Sequence, residues 1–272
     1  MLSEKQEQLQ NSIRGVIPSF EKKTILSKTP IWVCRFQGRD RLPEVCRICV
    51  EQLERSAPSN AEVFFLTEEN YSEYIDFPDY INERFRRGVI SRPIFSDILR
   101  YGLLSTYGGI WVDAAILLSG NVLETALSSE VFSVRFYEGN EPLRDASRGK
   151  WIGGFWARKD DIVTFKYCYE SLLHLWKQHD LAIEYLACDY IIWTTYTQID
   201  AIKKEIDSIP VNNKQIRLLN DHINERYSTE LLENILRSND VHLINRHLDY
   251  NQYTDDGELT VFGYLVKNGS LM

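Results

Sequence analysis

The residues best suited to chemistry in this sequence lie in SRPIFSDILRYGLLSTYGGIWVDAAILL, residues 91–118. Asp97 and Arg100 stand three positions apart, which puts them on a common side of a helix. Asp113 follows beyond the pair Gly108–Gly109, at the end of a short apolar run, Ile110 to Val112, where a strand opens toward solvent. A helix and a strand arranged in this way deliver charged groups to one point, and that is how a binding crevice is built. Farther along, Asp189 is followed by Tyr190 and set among apolar neighbours. A carboxylate in such surroundings is costly unless paired. Asp189 therefore reads as a functional acid, with a structural salt bridge or a helix-surface position as the alternatives.

These groups need a frame. Pro93 suits the first turn of a helix, and Ile94, Ile98 and Tyr101 repeat at helical spacing until the glycines stop the pattern. Upstream, Ile31 to Phe36 reads as a strand and Pro43 to Arg55 as a helix with Val45, Ile48, Cys49 and Leu53 on one side. Glu62 to Leu66 reads as a second strand. The order strand, helix, strand predicts parallel pairing through a right-handed crossover, with ligands beyond the carboxyl ends of the strands. Gln37, Gly38, Thr67 and Asn70 then share a rim, while Trp32 reads as a core aromatic. Asp79 to Arg87 is helix-like, and its Arg84, Arg86 and Arg87 form a solvated basic face.

Downstream, Val131 to Phe136 reads as a strand and Tyr137 to Trp151 as a polar surface loop of the kind that recognises a second substrate. Gly153 to Ala157 is a short strand, and Asp160–Asp161 caps a helix with Phe165, Tyr169, Leu172 and Trp176 on one face. A helical stretch from Asp180 to about Ile206 follows. Val241 to Ile244 is strand-like, and Glu258 to Val266 is rich in strand formers. His242 and His247 read as satisfied surface histidines. Residues 1–28 form a polar helix and connector able to dock through Leu9, Ile13 and Ile17, ahead of one domain over 29–272.

Composition narrows the function classes. The chain has 272 residues, 44% hydrophobic and 26% charged, which is ordinary for a globular core. A formal net charge of -8 argues against broad binding to nucleic acid or to an anionic membrane. No apolar run approaches the roughly 20 residues that span a bilayer, and the polar start predicts a cytoplasmic protein without a transmembrane segment, with peripheral docking at the inner membrane face left open. Five cysteines, an odd and scattered set, suit buried thiols better than a disulfide framework. Cys46-Arg-Ile-Cys49 has no second CxxC or histidine pair to complete a metal site, and it falls on the predicted helix.

Ser96-Asp97-Ile98-Leu99-Arg100 followed by Gly108-Gly109-Ile110-Trp111-Val112-Asp113-Ala114 resembles the signature of the capsular-polysaccharide-synthesis glycosyltransferases. These are distant relatives of the clostridial toxin glucosyltransferases, and the wider pattern ends in Asp-x-Asp. Weaker similarity runs from Ile31 to about Ala201. The resemblance implies an α/β, GT-A-type, Rossmann-like nucleotide-sugar-binding fold: a mostly parallel sheet flanked by helices, with helical additions. It implies transfer of a hexose, with retained configuration, from a nucleotide sugar, UDP-linked, to a saccharide or lipid-linked saccharide acceptor in capsule or exopolysaccharide assembly. Trp32, Gln37 and Gly38 would hold the base, with Asn70 and Gly109 also on the donor. Asp97 and Arg100 would hold the sugar and the phosphate side. Asp113 would bind the ribose and a sugar hydroxyl, and with Asp189 would form the catalytic pair.

The same resemblance implies Mn²⁺ or Mg²⁺ as cofactor, but Ala115 stands where the second aspartate of Asp-x-Asp belongs. Three accounts follow. Asp113 binds the ion with help from the tail, for instance His247 or Asp249; or basic side chains replace the ion; or the protein is inactive. Transfer onto a protein side chain and non-catalytic nucleotide-sugar binding are the rival functions.

Overall fold

Alternating burial along three short strands sets the layering of this protein. Ile31 and Val33 point into one apolar cluster while Trp32 between them points into another, as the two-residue period of a strand requires. The same alternation separates Trp111 from Ile110 and Val112, and Trp156 from Phe155 and Ala157. A sheet built of such strands is buried on both faces, so helices must cover both.

Residues 4–17, 26–136, 146–158, 163–180, 187–269 and 271 are described by a computed structural model of the chain. In chain order the elements are α1 (Glu4–Ser12), β1 (Thr29–Cys34), α2 (Glu44–Ser56), β2 (Ala61–Leu66), α3 (Asp79–Arg86), α4 (Arg92–Tyr107), β3 (Gly109–Val112) and β4 (Ile116–Leu118). There follow α5 (Val122–Ser128), β5 (Val131–Ser133), β6 (Phe155–Arg158), α6 (Val163–Gln178), α7 (Ala187–Gln198) and α8 (Asp200–Ser208). The last elements are α9 (Leu218–His222), α10 (Thr229–Ser238), β7 (Val241–Leu243) and α11 (Val261–Asn268).

The main sheet has the order β2-β1-β3-β6-β5. Strands β2, β1 and β3 are parallel, β6 runs against β3, and β5 runs against β6, so four of the five strands point the same way. This is the mostly parallel, Rossmann-like α/β arrangement expected from the sequence. Because β1 pairs with β2 on one side and β3 on the other, the chain leaves it in two directions. A crevice opens beyond the carboxyl ends at such a switch point. A second sheet, β4 with β7 antiparallel, lies beside it.

Helix α4 carries the central segment. Pro93 occupies its first turn and Gly108 ends it at φ 70. Phe95, Ile98, Leu99, Tyr101, Leu103 and Leu104 are buried, and full burial of each such side chain is worth about 1.5–3 kcal/mol. Phe95 stacks on Phe85 with ring centroids 3.9 Å apart. Leu9 and Ile13 of the N-terminal segment enter the same cluster, whereas Ile17 is exposed. Among the described residues all five cysteines are free thiols.

Several expectations change. The tail from Glu258 to Val266 is mainly helical, because Thr260 Oγ1 accepts from the Gly263 amide as an N-cap and Gly269 closes α11 in the left-handed region; capping overrides the strand propensity of Val261, Phe262 and Tyr264. Of the helical stretch expected from Asp180 to about Ile206, residues 181–186 lie outside the described residues, and from Ala187 on it is two helices interrupted at Ile199, whose extended backbone leads into α8. His242 is not a surface residue: it is fully buried on β7, its ring nitrogen 3.2 Å from Ser119 Oγ. Burial pushes its pKa down to about 4. The Asp160–Asp161 cap and residues 137–145 of the predicted loop lie outside the described residues.

Gly109 shows how tightly β3 is set against β1. Its φ is +84, and a Cβ there would stand 2.2 Å from the Pro30 carbonyl oxygen. Gly38 has a similar φ, +83, with no atom within 4 Å of its would-be Cβ. Gly109→Ala is expected to cost about 3 kcal/mol or more in urea unfolding, and Gly38→Ala about 1 kcal/mol. Equal costs would mean that the close approach of the strands is not what selects glycine at 109.

Candidate functional site

Arg100 comes from the middle of α4 and Asp113 from the residue after β3, and the two meet where the parallel strands end. Arg100 Nη1 donates to Asp97 Oδ1 at 2.9 Å and Nη2 to Asp113 Oδ1 at 3.1 Å. Trp111, two residues before Asp113 and on the same strand face, donates its indole N–H to Asp113 Oδ1 at 2.7 Å. The guanidinium lies 5.1 Å from the Trp111 ring centroid. Across the crevice, Trp151 Nε1 donates to Asp189 Oδ1 at 2.8 Å. Two indoles and one arginine thus orient three carboxylates.

Burial governs the electrostatics. It works against the charge of Arg100, but Asp113 and Asp97 more than offset it and keep the guanidinium firmly protonated. Burial also raises the Asp97 carboxyl, Arg100 opposes that, and Asp113 and Asp189 add to it, leaving Asp97 at about 6. An acid with this value sits close to neutrality, which is common in functional sites.

The groups line a cavity of about 400 Å³, within the size range of small-molecule sites. Its wall includes Gln37 from beyond β1, Asp97 and Arg100 from α4, Asp113 and Ala115 from beyond β3, and Asp189 from α7. The paired glycines Gly153–Gly154 make room for them. A Cβ on Gly154 would stand 2.7 Å from Asp113 Oδ2, and one on Gly153 3.3 Å from Arg100 Nη1.

Other expected donor residues are placed elsewhere. Trp32 is fully buried, donates to the Gly108 carbonyl and packs on Phe64, Tyr74 and Tyr107; its ring belongs to the core. Gly109 lies at the opposite end of β3 and lines a different cavity with Pro30 and Tyr107. Asn70 ties the turn after β2, accepting from the Thr67 amide and donating to the Phe65 carbonyl. Gly38 adjoins Gln37 as the cap of a short 3₁₀ turn. His247 is exposed and outside the cavity wall, although its neighbour Arg246 is part of it.

Ala115 leaves Asp113 without the second aspartate of an Asp-x-Asp pair. Among the described residues no group of three or more His, Cys, Asp or Glu converges as a ligand set. Asp113 Oδ1 already accepts from Arg100 and Trp111, so only Oδ2 is left to a ligand. Ala115 sits in an apolar cluster with Val45, Cys46, Leu117 and Ile244. A divalent ion held here would draw most of its coordination from water and from a bound phosphate, as Mg²⁺ usually does.

Trp111, Trp151, Gly153, Gly154, Arg35 and Arg246 were not singled out from sequence. The two-residue spacing of Trp111 and Asp113 is a signal that points to the first; the others are brought in by distant elements. A family model described as "Capsular polysaccharide synthesis protein" matches residues 3–264. No curated protein matches the chain.

Two outcomes are expected from this geometry. Gly154→Ala should displace the Asp113 carboxylate and lower ligand affinity by about tenfold or more while costing little in stability, as read by calorimetry beside thermal unfolding. Because the fold raises Asp97 above its ordinary value, the stability tied to its protonated form is complete below about pH 4 and is lost as pH rises through about 6. Urea titrations between pH 4 and 8 should therefore show a component of that sign in the wild type that Asp97→Asn removes; identical pH profiles would refute the assignment.

Proposed function

The chain belongs to the capsular polysaccharide synthesis family, and from that premise we propose that it is a glycosyltransferase. It moves a hexose from a UDP-linked nucleotide sugar to a saccharide acceptor, free or lipid-linked, in capsule or exopolysaccharide assembly, with retained configuration. The observation that carries this reading is the Asp97–Arg100–Asp113 network at the switch point of the sheet, inside a cavity of about 400 Å³.

In this reaction the bond from the sugar C1 to the diphosphate oxygen breaks, and its electron pair stays on the diphosphate. The acceptor hydroxyl oxygen bonds to C1 and gives its proton to the departing phosphate oxygen. Positive charge develops on the sugar and negative charge on the leaving group, and fixed groups of opposite sign lower the barrier. Asp113 Oδ2 faces the cavity as an acceptor for a ribose or sugar hydroxyl, and Asp97 serves a second hydroxyl. Arg100 is a positioning residue, since both of its terminal nitrogens are engaged by carboxylates. Asp189, oriented by Trp151, stands on the sugar side, where a carboxylate favours the positive charge.

A second reading, non-catalytic binding of a nucleotide sugar, is favoured by Ala115 in place of a carboxylate. Hydrolysis of the donor without acceptor separates the two, because a transferase slowly releases free sugar. A panel of nucleotide sugars should raise the thermal midpoint selectively for one donor, and that donor should be hydrolysed. Asp113→Asn is expected to lower hydrolysis by at least about a hundredfold with a stability cost of about 1 kcal/mol, because the amide oxygen still accepts from Trp111. Arg100→Ala should weaken turnover far more than Arg86→Ala, which alters an exposed arginine. Donor binding with no hydrolysis by the wild type would establish the second reading.

A further inference from the structure

Arg35 and Arg246 are two cations on the cavity wall that the carboxylate network does not use. Arg35 follows the end of β1 and Arg246 follows β7, so the two come from opposite ends of the chain to one wall. Neither forms an ion pair among the described residues, whereas Arg92 on the same wall is paired with Glu68 at 3.2 Å and Arg100 with Asp97 and Asp113. Arg35 Nε is buried with no acceptor. A donor buried without an acceptor is unfavourable. In a chain with net charge -8, two unpaired guanidinium groups in one crevice call for a ligand of opposite sign.

We propose that Arg35 and Arg246 form the seat of the donor's diphosphate and take over the leaving-group stabilisation that a divalent ion and the second aspartate of Asp-x-Asp otherwise supply. The inference rests on the transferase reading for the identity of the anion. Cys46 supports the convergence: burial raises its thiol, and the two groups that pull it back down are Arg35 and Arg246, so both guanidinium fields reach the same buried sulfur. The chemistry fits as well. A planar guanidinium offers paired N–H donors matched to phosphate oxygens, and its charge meets the electron pair that the broken C1–O bond leaves on the diphosphate. Arg100 cannot serve in this role while it holds both carboxylates. Ala115 lines the same cavity as Arg35 and Arg246 and packs in the apolar cluster with Cys46.

Calorimetry on the full chain tests the seat directly, with UDP and GDP each compared with its nucleoside and with inorganic pyrophosphate, in EDTA and again with Mn²⁺. In EDTA the wild type should bind a nucleoside diphosphate at least tenfold more tightly than its nucleoside. Arg246→Met, a change at an exposed residue, should remove at least tenfold of diphosphate affinity and leave nucleoside affinity unchanged. Arg35→Met should do the same, and Arg35→Lys, with unfolding midpoint checked alongside, should restore part of the loss. Diphosphate binding no tighter than nucleoside binding in EDTA, or binding unaltered in both methionine variants, would overturn the seat while leaving the donor reading intact. A large gain with Mn²⁺ that the methionine variants keep in full would return the role to a metal ion. Pyrophosphate binding that needs both arginines, with no nucleotide binding at all, would leave the seat standing and defeat the transferase reading. Binding of none of these probes would overturn both.

Discussion

A buried guanidinium needs carboxylate partners, and in this protein that need, met through the two terminal nitrogens of Arg100, joins a helix to a strand end. Arg100 is almost wholly removed from solvent, with 8% of its side chain exposed, and a charge so placed is unfavourable unless it is paired. Its two carboxylates sit on different elements: Asp97 one turn earlier on α4, Asp113 just beyond β3. The pairing fixes where α4 lies along the sheet and where the chain must turn after Val112. Gly108 and Gly109, both at positive φ, supply the reversal that lets helix and strand run back to back.

The site is then an outcome of that lock. Asp113 is held by the Trp111 indole and by Arg100, both on Oδ1, while Oδ2 lies against Gly154. Asp189 is treated in the same way by Trp151, whose ring lies 6.1 Å from that of Trp156 on β6. Large aromatic side chains here bury their apolar bodies and use the one polar handle to aim an acid. The glycines at 153 and 154 keep β6's approach clear of both carboxylate and guanidinium, so the small residues and the large ones serve the same geometry.

Membership of the capsular polysaccharide synthesis family points to a role in capsule biosynthesis, and the cavity carries charges of both signs. Carboxylates organised by Arg100 and the guanidinium groups of Arg35 and Arg246 line the same cavity. Ala115 is where the chain departs from Asp-x-Asp, and its surroundings explain why the departure is tolerated. The residue is packed among apolar side chains at the junction of the two sheets, with its carbonyl accepting from the Ile244 amide, so alanine satisfies the fold without a ligand role.

Local patterning carried much of this protein. The strand at Ile31, the helix that follows, the α4 helix with its proline and glycine bounds, and the charged positions 97, 100 and 113 all follow from spacing, because periodicity and turn chemistry act between near neighbours. The parallel core followed from strand, helix, strand order. Position along the chain did not reveal which rim residues reach the cavity: Gln37 does, while Asn70 is used up in its own turn and Trp32 is sealed in the core. Nor did local pattern show that the strand-like tail from Val261 folds as a capped helix, or that His242 is buried against Ser119. Tertiary structure alone decided that Trp151 and Asp189 share a hydrogen bond, that a side chain at Gly154 would crowd Asp113, and that Arg35, Cys46 and Arg246 line one cavity. Each of these depends on contacts between residues far apart in sequence, and such contacts are set by how the sheet and its covering helices pack, not by the sequence on either side of any one residue.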